Sequence, residues 1–368
     1  MRVVAIGDIG VLDDMVHIGD EAMFEACVGE LRLRGIHDIV GVSANPAESA
    51  ARYGIRAIAR RAGDATDELA ETVRDSDAVV ITGGGNLSSL WPQHVQARSE
   101  LGRLASRFGK PLVVTGQTIG PHLDDADTAL VAELLHSARL VGVRESGSLA
   151  LCRRLGLTGD ALRQTVDDAS FLVTAPAEPG GYCLVTLANH VGPTDRDAVE
   201  GALTALLDEV AGSTGLAIVF AAHFGSLLPG PARGDSAMHE RVAARMRAAS
   251  RVVPTTDAAA SARLARSAEL VLCSRYHPAV FAVAAGVPTI GIPVDDYTTV
   301  KLSGALGNFG QHSTLPVDRL LAGDGAGLLH SVWERREEIR SAGLRQATEA
   351  RQASTLWWDD VAVALAGG

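Results

Sequence analysis

Residues 271–292 read VLCSRYHPAVFAVAAGVPTIGI. The run Leu270-Val271-Leu272 has the length and apolar character of a buried parallel strand. A polar turn follows, Cys273 to Pro278, and then Ala279 to Ala285, almost wholly apolar, which reads as a short buried helix. Gly286 ends that helix as a C-cap and Pro288 prevents its continuation. Thr289 to Ile292 is the next strand. In open α/β sheets ligands lie where strands end and helices begin. Arg275 and His277 fall at that point, beside a helix N-terminus whose free amides favour an anion. A fixed cation and a titratable imidazole two residues apart suit binding of a phosphate or carboxylate together with movement of a proton. The plain alternative is a surface arginine and a histidine satisfied within a turn.

The same alternation runs outward to both ends. Val3 to Ile6 is a first strand, and Gly19-Asp20-Glu21-Ala22 opens a helix that reaches about Arg34. Acidic residues in a first turn suit the helix dipole. Asp38 to Val42 and Asp77 to Ile81 are further strands. The latter runs into Thr82-Gly83-Gly84-Gly85-Asn86-Leu87, read as a loop. Its amides are placed to cradle an anionic or hydroxyl-rich ligand, or else form a tight turn. Trp91 and His94 follow closely. Strand Leu112 to Val114 leads to Gly116-Gln117-Thr118-Ile119-Gly120-Pro121, and strand Leu140 to Val143 ends at Arg144. Arg144 thus holds the first half's version of the Arg275 position. The pair Asp167-Asp168 is able to accept hydroxyl hydrogen bonds, as are ordinary solvated loop carboxylates.

Alternating strands and helices give an α/β class with parallel sheets. The segment Thr174 to Gly181, with two prolines and two glycines, reads as an interdomain linker. The expected division is a first domain over 1–175, a second over 176–345, and a terminal segment over 346–368 that packs back on the body. In the second half, strands Tyr182 to Leu187 and Leu216 to Ala221 lead to His190 and His223, and Leu227 to Asp235 reads as an exposed loop.

The 368 residues suffice for about two domains. A net charge of −11 opposes broad nucleic-acid binding. The four cysteines, Cys27, Cys152, Cys183 and Cys273, are scattered without a C-x-x-C, so neither a disulfide framework nor a zinc site is suggested. No apolar run reaches the length of a membrane span, and MRVVAIGDIGV lacks the pattern of a signal peptide. A cytoplasmic location follows as the expectation, with room for peripheral contact at the inner membrane face. The sequence is silent on oligomeric state.

Five stretches in order resemble the polysaccharide pyruvyl transferase family. They are Gly19-Asp20-Glu21-Ala22; Gly83-Gly84-Gly85-Asn86; Gly116-Gln117-Thr118-Ile119-Gly120-Pro121; Val143-Arg144-Glu145-Ser146 with Ser148 and Leu155-Gly156; and Ser274-Arg275-Tyr276-His277 with Gly286-Val287-Pro288. They occur in the family's order and span nearly the whole chain. Two departures stand out. Glu145 replaces an aspartate, and Tyr276 stands where a leucine-like residue is usual.

The resemblance implies two Rossmann-like domains with parallel sheets facing a cleft, GT-B-like. It also implies transfer of a carboxyethylidene group from phosphoenolpyruvate to a sugar of a polysaccharide or glycolipid, with release of phosphate. Phosphoenolpyruvate is then a donor substrate, and neither a cofactor nor a metal is implied. His277, Arg275 and Arg144 are the expected catalytic residues. The arginines would clamp the donor, and His277 would protonate its methylene carbon. Gly84, Gly85, Asn86, Gln117, Asp20, Asp168 and Ser274 are the expected substrate-binding residues, with Asp168 a further candidate for taking the hydroxyl proton. The competing readings are a GT-B glycosyltransferase using a nucleotide sugar and a non-catalytic glycan-binding protein.

Overall fold

The computed structural model of the chain describes residues 1–60 and 67–367. Its backbone groups into two compact units. Unit 1 contains Met1–Leu12, Asp20–Ala169 and Ala350–Gly368, and unit 2 contains Asp13–Gly19 and Ser170–Glu349. Three features differ from the division drawn on sequence: the changes of unit fall at Ala169/Ser170 and at Glu349/Ala350, and the short segment Asp13–Gly19 belongs with unit 2.

In chain order the strands are β1 (Arg2–Ile6), β2 (Met15–His17), β3 (Asp38–Ser43), β4 (Arg56–Ala59), β5 (Ala78–Ile81), β6 (Gly84–Leu87), β7 (Leu112–Ile119), β8 (Leu140–Val143), β9 (Leu162–Gln164), β10 (Tyr182–Thr186), β11 (Ala217–Ala221), β12 (Phe224–Ser226), β13 (Ser250–Val253), β14 (Leu270–Cys273) and β15 (Thr289–Gly291).

Unit 1 is built on a parallel sheet in the order β4-β3-β1-β5-β7-β8-β9, with β6 paired to β7. Every residue of β5 and β7 is buried, as expected of central strands covered on both faces. One face packs Val4, Ile6, Val79, Ile81 and Val114 against Val95, Leu101 and Leu134. The other packs Val3, Ala5, Val80 and Val113 against Phe24, Leu31, Trp357 and Trp358. The alternation of neighbours along each strand between these two clusters is the period-2 geometry of a strand.

The glycine stretch after β5 is not the open loop that its composition suggested. Gly84–Leu87 forms β6, and Gly84 aligns with Gln117 and Leu87 with Ile119. Strand β7 likewise continues past Val114 through Gln117 to Ile119, with a register irregularity there. Gly116 supplies the positive φ (+56°) that this irregularity uses. The pairing is one-sided and aligns only Gly84 and Leu87 of the four residues with β7.

Unit 2 has a five-stranded parallel sheet in the order β13-β11-β10-β14-β15. In this unit's own chain order that is 3-2-1-4-5, a Rossmann arrangement whose winding reverses between β10 and β14. A separate antiparallel pair joins β2 to β12. Helix ends follow familiar chemistry: Asp257 accepts from the amide of Ala260 at 2.7 Å, and Asp295 forms a capping box with Thr298. The segment Leu227–Asp235 does not end as an exposed loop. Asp235 begins the helix Asp235–Arg245 and is fully buried.

Candidate functional site

Ser274, Arg275 and His277 lie in unit 2 where β14 gives way to the helix Tyr276–Val283. The amides of Ser274 and Arg275 both reach the carbonyl of Thr186, the last residue of β10, at 3.0 and 3.4 Å. The Ser274 hydroxyl accepts from the amide of Ala188 at 2.8 Å. The turn is therefore fastened to the end of β10, at the switch point of the sheet, where such folds bind ligands.

Arg275 is held by a carboxylate that sequence reasoning assigned to an exposed loop. Its Nε and Nη2 donate to the two oxygens of Asp235 at 2.8 and 2.5 Å. Asp235 also accepts from the amides of His223 and Phe224 at 3.2 and 2.8 Å. Burial alone would raise the carboxyl pKa of Asp235; Arg275 and the amide of Phe224 outweigh that and hold it below the usual carboxylate range. One edge of the Arg275 guanidinium, Nε and Nη2, is thus spent on the protein, and Nη1 lies outside that pair.

Three histidines surround this pair. His223 is pulled down to about 3 by burial, with a further contribution from His277. His239 is pulled down to about 4, again by burial first. Its Nε2 accepts from the amide of Leu187 at 2.9 Å, so the imidazole is neutral and its proton sits on Nδ1. Among the described residues, His223 Nδ1, His239 Nδ1 and Thr186 Oγ1 have no hydrogen-bond partner. His277 is half-buried, edge-on to Tyr276 with ring centroids 5.1 Å apart and 6.0 Å from the Phe281 ring. A β-carbon on Gly19 would lie 1.8 Å from its Nδ1. Lys301 Nζ stands 4.9 Å from the centre of the Tyr276 ring and 4.6 Å from that of Tyr297.

The remaining expected residues lie in unit 1. Arg144 is 0% exposed. Its Nη1 meets Asp167 at 2.5 Å, and its Nε meets Thr118 at 2.8 Å and Glu145 at 3.1 Å. The charge of this arginine is therefore balanced inside the unit, and Glu145, the departure noted in the sequence, is one of the balancing groups. Asp168 begins the 3-10 turn Asp168–Phe171 and accepts from Thr115 Oγ1 at 2.9 Å. Burial, and next the neighbouring Asp167, push its carboxyl up to about 8 against the hydrogen bond from Thr115 and the charge of Arg144. Its oxygens rest on glycine backbone: β-carbons at Gly116 and Gly83 would come within 2.5 and 2.9 Å. Asp168 is thus an internal carboxyl whose burial favours the protonated form, not a solvated loop carboxylate. Gln117 is buried and donates to the carbonyl of Thr82. Gly84 stacks on the Gln117 amide, with Asn86 beside it, and Gly85 is buried within β6. Asp20 is half-buried in the first turn of the helix Ile18–Leu33 and acts electrostatically on Arg98. Gly84, Gln117, Arg144 and Asp168 thus gather around β7, and Asp20 stands with a different group.

Asp235 and Arg98 are the polar residues that sequence reading missed. For Arg98 a signal existed: it is spaced three from Val95 and three from Leu101, on the apolar stripe of the helix Pro92–Arg107.

The polysaccharide pyruvyl transferase model matches residues 17–296. No curated protein matches the chain in sequence. Among solved structures, HepE of Anabaena with UDP and glucose is 10% identical, with a TM-score of 0.63 over 100% of both chains. UDP-GlcNAc 2-epimerase of Methanocaldococcus jannaschii is 13% identical, with a TM-score of 0.59 over 91% of this chain and 92% of that one. The enzyme of the same name from Neisseria meningitidis, bound to UDP-GlcNAc, is 10% identical, with a TM-score of 0.59 over 97% and 100%. At such identities the likeness is one of fold, and it agrees with the GT-B-like pair of Rossmann units expected from the sequence. Among the described residues no helix is long and apolar enough to cross a membrane. The match over residues 17–296 spans most of the chain, and the protein belongs to the polysaccharide pyruvyl transferase family, a transferase family.

Proposed function

We propose that this member of the family moves a carboxyethylidene group from phosphoenolpyruvate onto two hydroxyls of a sugar in a cell-surface polysaccharide or its lipid-linked precursor. The observation that carries the reading is the constellation at the end of β14. A guanidinium fixed by Asp235 and an imidazole fixed against Gly19 stand two residues apart at the switch point of a Rossmann sheet. Phosphoenolpyruvate presents a phosphate and a carboxylate, and Arg275 Nη1 and the N-terminus of the helix Tyr276–Val283 suit one of them.

In this reading His277 donates a proton to the methylene carbon, which becomes the methyl group. The adjacent carbon turns electrophilic and accepts the first sugar hydroxyl. Phosphate then departs with the electrons of its carbon–oxygen bond, and the second hydroxyl closes the ketal. The carbon gains one proton, the two hydroxyls lose two, and the balance leaves on phosphate. Arg144 and Asp168, both internal to unit 1, are given no contact with the donor and no proton to move.

The test is an acceptor screen read by mass for the added carboxyethylidene group and by phosphate release, run beside thermal shifts with phosphoenolpyruvate and with UDP. The expected result is stabilisation by phosphoenolpyruvate and phosphate release that depends on a sugar acceptor. For His277→Gln the turnover should fall by ~10²–10⁴-fold while the phosphoenolpyruvate shift persists. Stabilisation by UDP alone, or full turnover in His277→Gln, would reject the assignment.

A further inference from the structure

Phosphoenolpyruvate carries a phosphate and a carboxylate, and Arg275 with the N-terminus of the helix Tyr276–Val283 suits one of the two. A further cation stands close by in unit 2. Lys301 lies on the helix Asp296–Gly307, one turn after Tyr297, so the two share a face. Its Nζ donates to Tyr297 Oη at 3.2 Å and stands 4.6 Å from the centre of that ring. It is also 4.9 Å from the centre of the Tyr276 ring, on the other helix. Two aromatic rings from different helices thus hold one ammonium. Among the described residues no carboxylate forms an ion pair with it. Lys301 and Tyr297 are only half-buried, so the pair keeps part of its surface in solvent.

Tyr276 links this cage to the site. Its ring lies edge-on to the His277 ring at 5.1 Å between centroids, and the Lys301 ammonium lies over it. Strands β14 and β15 are parallel neighbours, so the turns that lead into the two helices open at the same edge of the sheet. Ligands of such sheets bind at that edge. The chain has lysine only at 110 and 301 and otherwise relies on arginine for positive charge. A leucine-like residue at position 276, the usual one in the family, has no π face to offer a cation.

We propose that Tyr276 and Tyr297 are positioning residues of the unit 2 site, which hold the Lys301 ammonium for the second anionic group of the donor while Arg275 takes the first. A lysine stem is flexible, and contact with two rings removes freedom that would otherwise be lost on binding. The identity of the ligand rests on the donor assignment, and the cage rests on the contacts of Lys301.

Calorimetric binding of phosphoenolpyruvate and of UDP to the full chain is the test. Lys301→Met should weaken phosphoenolpyruvate binding by roughly tenfold to a hundredfold. Tyr276→Leu and Tyr297→Leu should each weaken it by roughly threefold to thirtyfold. In all three KM rises and kcat changes little, the reverse of His277→Gln. Tyr276→Phe keeps the π face and should bind as wild type does. Because the rings act through Lys301, the double variant Lys301→Met/Tyr276→Leu should bind no more weakly than Lys301→Met. Unchanged affinity in Lys301→Met, or losses that add in the double variant, would overturn the inference and leave the donor assignment standing. A wild type that binds UDP and not phosphoenolpyruvate rejects the donor assignment. The same non-additive loss read with UDP then supports the cage, and its absence overturns it. Binding of neither ligand overturns both. A wild-type readout covers variants that fail to fold. Reductive methylation with isotope-labelled formaldehyde keeps the lysine charge, and the Lys301 signal is the one that persists in Lys110→Arg. Movement of that signal on titration with whichever ligand binds supports the cage as part of the site; a signal unmoved at saturation overturns it.

Discussion

The imidazole of His277 lies flush against the backbone of Gly19, so close that a single added carbon on Gly19 would sit 1.8 Å from Nδ1 and 2.5 Å from Cε1. The reason for glycine here is close approach rather than an unusual backbone, since Gly19 is helical and has no positive φ. Segment Asp13–Gly19 is fixed within unit 2 by pairing of β2 with β12 and by the amide of Ile18, which donates to the carbonyl of His223 at 3.0 Å. Glycine therefore sets where the histidine ring can stand.

Gly19→Ala should displace the ring by about the width of a methyl group. A misplacement near 1 Å can reduce a reaction by ~10²-fold, while overpacking costs about 1–3 kcal/mol of stability. The expected outcome is a folded enzyme with sharply reduced kcat, measured beside its urea midpoint. Turnover within twofold of wild type would show that the position of His277 does not govern the reaction.

Arg275 and Asp235 give an asymmetric pair of substitutions. Arg275→Gln leaves a carboxylate that is 0% exposed without its counter-charge, whereas Asp235→Asn leaves a guanidinium that is only half-buried. Removing one member of a buried pair costs about 3–5 kcal/mol when the other stays buried and charged. Arg275→Gln should accordingly destabilise more than Asp235→Asn in urea titration. Both should weaken binding of phosphoenolpyruvate, the second because the guanidinium is no longer aimed.

The pair also marks how far the sequence was legible. Strand β14, its turn and the following helix were readable because an apolar run, a polar turn and a glycine stop are local features. The placement of Arg275 and His277 where β14 gives way to a helix followed from position alone. Asp235 was hidden because its partner is 40 residues away and the approach through Leu227–Gly234 is rich in proline and glycine. The stretch Gly83–Asn86 misled in the other direction. Its glycines suggested an open loop, yet they serve close packing, with Gly83 under Asp168 and Gly84 on Gln117. Arg144 was correctly placed at a strand end, but its burial with Asp167 and Glu145 depends on contacts that no local pattern encodes.

The C-terminal segment of unit 1 should prove structural. Trp358 is 1% exposed, and Trp357 Nε1 donates to Thr115 Oγ1 at 3.2 Å, the same hydroxyl that serves Asp168. A β-carbon on Gly142 would meet the Trp357 ring at 2.6 Å. Trp358→Ala should cost about 3–5 kcal/mol, and Gly142→Ala about 1–3 kcal/mol by overpacking. Urea titration followed by circular dichroism checks both. A Trp358→Ala protein as stable as wild type would mean that this segment is dispensable to the core.

Stability should change with pH in two separate windows. His223 and His239 have folded pKa values near 3 and 4, below their ordinary 6.5. The unfolded chain takes up their protons first, so their contribution is complete above 6.5 and is lost as pH falls towards 4 and then 3. Asp168 behaves oppositely. Its folded pKa of about 8 exceeds the ordinary 3.8, so the folded state holds the extra proton and stability declines as pH rises from 3.8 to 8. Above 6.5 the unfolded histidines shed their remaining protons, so the decline from Asp168 should stand out increasingly towards 8, at no more than about 1.4 kcal/mol per pH unit. Asp168→Asn cannot ionise and should flatten that window while keeping the loss below 6.5, and His239→Gln should soften the acid side alone. The measurement is a set of urea titrations from pH 5 to 8.5 on the three proteins. A wild-type profile flat from 6.5 to 8, or an Asp168→Asn profile as steep as wild type there, would show that Asp168 is ionised in the folded chain.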